Sequence, residues 1–166
     1  LLITNYFFYG WWDWRFLILL LFISGTNYLV GIGFSKSDNA KMRKMLLLIA
    51  LLGCFSCLFL FKYYNFFSNS IAYSINMIGA HVMPIHFSVI LPIGISFYIF
   101  QSVSYSIDVY YHKIEPEKDA IAFLAFSSFF PLLLSGPIER GTTLLPQFLV
   151  KRRFIYTAAV DGMRQI

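Results

Sequence analysis

The chain has 166 residues, of which 58% are hydrophobic, 20% are Phe, Tyr or Trp, and only 13% are charged. Soluble domains carry about a quarter charged residues, and this chain has too little polar surface to cover a water-borne core. Its net charge of +5 sits in short basic clusters, Lys36, Lys41, Arg43 and Lys44, then Lys151, Arg152 and Arg153. That pattern fits membrane topology and anionic lipid and argues against nucleic acid as a partner.

Residues 16–35, 63–107 and 120–138 contain no Asp, Glu, Lys or Arg, and an uncharged apolar run of about 18 residues is long enough to cross a bilayer. The expected fold is therefore an all-α, polytopic membrane protein. The chain starts without Met, inside an apolar run closed by Tyr9, Trp11, Trp12 and Trp14, aromatics that favour the headgroup level. It reads as the end of a spanning helix, with no signal peptide before it. Its last residues, 161–166, carry no closing pattern, and no internal repeat divides the chain. One partial domain over 1–166, truncated at both ends, is the expectation.

A first full helix is expected over 14–34, a basic loop over 35–44 and a second helix from Met45 to about Phe61, ending at Lys62. Residues 63–92 mix aromatic, small polar and proline residues, with Pro84 and Pro92 interrupting any long helix, so an interfacial or re-entrant helix is expected in place of a clean span. A third helix is expected from Pro92 to Tyr111. A charged loop over 113–119 then leads into an apolar run, Ala120–Leu134, that is short for a crossing. If 120–138 crossed, the 151–153 cluster would face outward against the positive-inside rule. A re-entrant path removes that conflict. Cys54 and Cys57 lack accompanying ligand residues and read as small apolar packing residues.

Gln101, Ser104, Tyr105, Asp108 and His112 share one side of the third helix, while Ile95, Ile99, Ser102, Val103, Ser106 and Val109 take the other. Ionisable groups inside a membrane face protein or a wet cavity. The polar side is thus either the lining of a substrate passage or a buried network holding helices together. His81 and His86 have no carboxylate, Cys or third His at ligand spacing, so neither a metal nor a catalytic base is assigned there, and His112, at the helix end before Lys113, is expected at the interface. The stretch Gly136-Pro137-Ile138-Glu139-Arg140 places a charge pair in a constrained turn directly after an apolar run. Arg140 there could receive an anionic or thioester-bearing donor, or simply reach out to the interface.

Two longer phrases carry a resemblance. Leu91–Gln101 (LPIGISFYIFQ), continuing as SVSYSIDVYYHK, and Phe129–Phe148 (FFPLLLSGPIERGTTLLPQF) resemble the membrane-bound O-acyltransferase family, in particular its alginate O-acetyltransferase branch, which includes the D-alanyl transfer protein of teichoic acid modification. NYFFYGWWDWRF from Asn5 and FKYYNFF from Phe61 resemble further phrases of that branch. Leu132, where the branch commonly has Gln, and Ser135 depart from it. The resemblance marks Gln101, Ser104, Tyr105, Asp108, Pro131, Gly136, Pro137, Glu139, Arg140 and Gln147 as passage or motif residues. It implies a partial ring of helices with re-entrant segments in the bacterial cytoplasmic membrane. It also implies transfer of an acyl group, acetyl above all, from a cytoplasmic donor toward hydroxyls of an extracytoplasmic polysaccharide. The donor would be a substrate such as acetyl-CoA or another acyl thioester, with no bound cofactor, and accessory acyl-carrying proteins are implied partners. The family's essential His lies in a later buried helix that none of His81, His86 and His112 matches. The competing class is a transporter or scaffold using the same helix, which a second broken-helix repeat would favour.

The two basic clusters are expected on one side of the membrane. Cysteines placed at positions 42 and 152 of the full-length protein should react with an impermeant reagent from the same side in intact cells. Labelling from opposite sides would defeat the re-entrant path.

Overall fold

A computed structural model of the chain describes residues 1–79, 81–86, 90–136, 139–150 and 156–164, and every regular element among them is helical. Helix α1 (Leu2–Trp12) and helix α2 (Trp14–Lys36) meet at Asp13, whose extended backbone breaks the helical path. The Asp13 carboxylate accepts from the Arg15 backbone N–H, taking up one of the donors that a helix leaves free at its start. Hydrogen bonds from the Arg15 side chain to the same carboxylate, the shortest 2.7 Å, hold its pKa below the usual range.

Asn39 caps helix α3 (Ala40–Leu58) in the same way, accepting from the Lys41 N–H at 2.9 Å. Here the structure departs from the expected end at Lys62. A π-helical turn, Phe59–Tyr63, leads without interruption into helix α4 (Tyr64–Met77), making one helical stretch of 38 residues. At 1.5 Å per residue that is about 57 Å, well beyond the roughly 30 Å of a hydrocarbon core. The polar residues between 63 and 77 are compatible with a helix. The real stop is Gly79, in a left-handed conformation (φ +92°), followed by Pro84. The helix expected as a separate interfacial or re-entrant piece within 63–92 is thus the continuation of α3 as far as Met77. Two helices among the described residues are long and apolar enough to cross a membrane, Trp14–Lys36 and Ala40–Met77.

Helix α5 (Ile95–Tyr110) is the central post, in contact with α2 and α3 and with three shorter helices that follow it. These are α6 (Ala120–Ser127), α7 (Phe130–Ser135) and α8 (Gly141–Leu144). Helices α9 (Pro146–Leu149) and α10 (Tyr156–Arg164) complete the order. The supposed apolar side of α5 and its polar side are both buried: Ile99 and Ser102 are as inaccessible as Tyr105. Two apolar clusters pack along this post. One gathers Tyr9, Phe16, Leu20, Leu58, Ile95, Tyr98 and Leu133, and the other Val30, Phe34, Tyr105, Val109, Phe123, Phe126 and Leu144. Polar side chains join the helices alongside them. Ser106 Oγ donates to Asn27 Oδ1 at 2.6 Å, Asn27 Nδ2 donates to Cys54 Sγ, and Ser127 Oγ donates to Ser24 Oγ.

Arg43 belongs to this buried frame and not to the exposed basic loop. It is only 7% exposed. Its guanidinium donates to Phe34 O at 3.1 Å and to Val109 O and Tyr110 O at 3.0 Å, with its carbon 5.0 Å from the centre of the Phe34 ring. These carbonyls end α2 and α5, where helices leave acceptors unsatisfied and the macrodipole is negative. Beyond them α5 closes in a Schellman turn, with Lys113 N–H bonded to Asp108 O and His112 N–H to Val109 O. The left-handed position of that turn is His112, at φ +57°.

Replacing Arg43 with Gln should leave helix-end carbonyls without their charged donor and lower stability by about 3 kcal/mol. Lys41→Gln, on the exposed side of the same turn, should change stability by less than about 0.5 kcal/mol. Thermal unfolding of the two variants in the same detergent would separate them.

A broken helix as the candidate functional site

The run 120–135 holds two short helices and not one. α6 stops at Ser127, Phe129 is extended, and Pro131 lies in the first turn of α7, where its missing N–H costs no helical hydrogen bond. The break is buried, with Ser127 and Ser128 both fully inaccessible, so the last carbonyls of α6 need donors from the protein. They receive them. Leu124 O accepts from Ser128 Oγ at 2.6 Å, Ala125 O from Asn5 Nδ2 at 3.2 Å, and Phe126 O from Gln101 Nε2 at 3.1 Å. Gln101 is thus the cap of an interior helix end. Asn5, which the sequence reading passed over, is its counterpart on α1. The one available signal was a polar residue inside an apolar run.

The segment travels out along α5 and back. Its start lies beside α2, where Tyr28 Oη donates to Lys118 O at 2.7 Å. Leu133 reaches the beginning of α5, its carbonyl oxygen 2.5 Å from where a Cβ on Gly94 would stand. Only glycine suits that approach, and its φ of +74° is itself in the left-handed region. Gly141 has returned to Tyr105 and Ile114, with an added Cβ 3.4 Å from the Tyr105 ring. From Gly94 to Tyr105 the helix rises about 16 Å. Both ends of the 120–141 segment therefore lie at the same level as the 111–118 loop.

The marked residues fare differently. Tyr105 is fully buried and its hydroxyl accepts from the Glu117 N–H at 2.9 Å. Asp108 is 4% exposed; Oδ1 lies 3.8 Å from Lys113 Nζ, while Oδ2 has no partner among the described residues. Ser104 is half-buried on the same face. Gly136 ends α7 in extended conformation, Glu139 is half-buried, and Arg140 is exposed at the start of α8. Neither Glu139 nor Arg140 forms an ion pair among the described residues. Gln147 is exposed and donates to Thr143 O at 3.2 Å. Pro137 and the 151–153 cluster lie outside the described residues. Four cavities stand out among the described residues. One of about 570 Å³ is walled by Phe7, Trp11, Trp12 and Ile93, and one of about 270 Å³ by α4 and residues 82–85. Another of about 550 Å³ is lined by Asp119, Ala122, Ala125, Gln147 and Phe148, and the fourth, of about 450 Å³, by Arg43 and His112 among others. Gln101, Ser104, Tyr105 and Asp108 line none of the four.

Comparison with known proteins bears on this arrangement. Over 89% of its length the chain is 38% identical to a protein of Pseudomonas syringae pv. tomato named "Probable alginate O-acetylase AlgI", and 36% identical to the protein of that name in Pseudomonas aeruginosa. The chain is similar, over most of its own length, to part of the alginate O-acetylases. A peptidoglycan O-acetyltransferase of Helicobacter pylori matches at 27% identity over the same share of the chain. The chain spans 29% of the Pseudomonas syringae alginate O-acetylase, 28% of the Pseudomonas aeruginosa one and 32% of the Helicobacter pylori protein. No family model matches the chain, and no solved structure does. The kinship is the one that the phrases Leu91–Lys113 and Phe129–Phe148 resemble.

If the interior end of α6 depends on its side-chain caps, Asn5→Leu should cost about 1–3 kcal/mol by stranding the Ala125 carbonyl. Gln101→Leu should cost less, about 1 kcal/mol, because the Phe126 carbonyl keeps a backbone donor in the Phe129 N–H at 3.4 Å. Reduced yield of monodisperse protein and a lower unfolding temperature would report it, whereas Gln147→Leu, at an exposed position, should be silent in both.

Proposed function

We propose that the full-length protein is a multi-pass O-acetyltransferase of the bacterial cytoplasmic membrane. It takes an acyl group from a cytoplasmic thioester such as acetyl-CoA and passes it toward hydroxyls of an extracytoplasmic polysaccharide, with accessory proteins completing the delivery. The observation that carries this reading is the continuous match to alginate O-acetylases over 89% of the chain. The peptidoglycan O-acetyltransferase among the relatives supports a glycan hydroxyl as the acceptor class, with the glycan left open.

In the reaction an acceptor oxygen attacks the thioester carbonyl, the carbon–sulfur bond breaks, and the hydroxyl proton passes to a base. The resemblance places the His that would serve as base in a later helix. What this chain supplies is the frame. We read the 120–141 segment as re-entrant, because both of its ends lie beside Tyr105 and the 111–118 loop. That reading puts Arg140, Gln147 and the 550 Å³ cavity beside Asp119 on the side of the basic α2–α3 turn. A donor entering there would meet the Arg140 guanidinium, whose planar fork suits an anionic group.

Membranes carrying the full-length protein and its accessory proteins should transfer labelled acetyl to polysaccharide hydroxyls, and absence of transfer would end the acyltransferase reading. Within an active preparation, Arg140→Lys should keep the folded yield and lower kcat/KM for the donor by about tenfold, since charge is kept and the fork is lost. Unchanged donor dependence would leave Arg140 as an interfacial side chain only.

A further inference from the structure

We propose that the cavity between the α2–α3 turn and the 111–118 loop binds a phosphate group. The cavity measures about 450 Å³, within the range of small-ligand sites. Its wall carries several ionisable side chains: Arg43, Lys113 and Lys118, with His112 beside them and Asp38 and Glu115 opposing.

Arg43 gives the cavity its direction. The residue is more than nine-tenths buried, yet its three hydrogen bonds are all to carbonyls. A guanidinium carries five N–H donors, so the Nε hydrogen and one on Nη1 are left without an acceptor among the described residues. No carboxylate lies within 4.0 Å of it there. Lys113 leans on Asp108 at 3.8 Å, whereas Lys118 has no ion-pair partner among the described residues. Asp38 and Glu115, the two acids, are exposed. A buried cation with spare donors in a fixed fork, with a second unpaired cation on the wall, favours a multi-oxygen anion over a single carboxylate. The wall also holds His112 in a left-handed conformation that glycine would adopt more cheaply.

The phosphate could come from two sources, an anionic phospholipid headgroup or a soluble phosphate compound reaching the same face. Full-length protein in uncharged detergent would be titrated with phosphatidylglycerol, coenzyme A or inorganic phosphate, with a monoacylglycerol as the uncharged control. Saturable binding of at least one phosphate probe, and not of the control, is expected. Lys118→Glu should weaken it about tenfold, and Glu115→Gln should tighten it about threefold by removing an opposing charge. Both substitutions are at exposed positions, so folding is preserved in each. Binding of phosphatidylglycerol alone assigns a lipid headgroup, and binding of coenzyme A or inorganic phosphate assigns a soluble ligand. If no phosphate probe binds, or if both variants bind as the parent does, the site is not a phosphate site. Neither result depends on acetyl transfer being observed.

Discussion

Arg43 carries a full positive charge in a place where only 7% of its surface remains exposed, and among the described residues no carboxylate lies within 4.0 Å to balance it. Burying a lone charge is costly unless other groups replace the lost hydration. The replacement here is geometric. Two helices end at the same point, each presenting carbonyls and roughly half a negative charge, and the guanidinium bridges them with three hydrogen bonds. Because Arg43 itself stands in the first turn of α3, one side chain fixes the ends of α2 and α5 against the start of a third helix. The position of α5 follows from that clamp, and the rest of the frame is built on α5.

Between the helices the fold relies on small polar contacts as much as on apolar packing. Asn27 is the clearest case, joining α2 to α3 through Cys54 and to α5 through Ser106. On the proposed membrane reading there is no water release between apolar helices to drive association, so close packing and interhelical hydrogen bonds carry more of the specificity. The same logic accounts for the broken helix. An interior helix end is tolerable only when each exposed carbonyl is met by a donor, and Asn5, Gln101 and Ser128 meet them.

The spans of α2 and α5 were legible because their charge-free runs and flanking prolines or caps are local features. So was the kinship, carried by phrases long enough to be specific. The continuation of α3 into α4 was not, because the prolines that looked like interruptions lie after the helix has already stopped at Gly79. Arg43 read as a loop charge because charge patterning places clusters and cannot say which member turns inward to cap two helix ends. Of the polar stripe expected on the third helix, Gln101, Tyr105 and Asp108 are buried on one face of α5, while His112 lies past the helix end at Tyr110, exposed and left-handed. The opposite face was equally buried, which one helix's periodicity cannot reveal when neighbours surround it on all sides. The partners of that stripe, α6 and the 111–118 loop, are fixed by long-range contacts, with Gln101 and Phe126 lying 25 positions apart.

The capping of α6 imposes an order on assembly. Its final carbonyls find their donors on Asn5 and Gln101, both of which precede α6 in the chain and so emerge from the ribosome earlier. On the proposed multi-pass reading, a membrane insertion machine releasing helices in sequence would have α1, α2 and α5 in place before the broken segment arrives. The segment could then exchange water for protein partners in a single step, without first standing unsatisfied in lipid. Were Asn5 and Gln101 encoded after α6, the same final contacts would require that exposed intermediate. The direction of synthesis and the direction of dependence coincide.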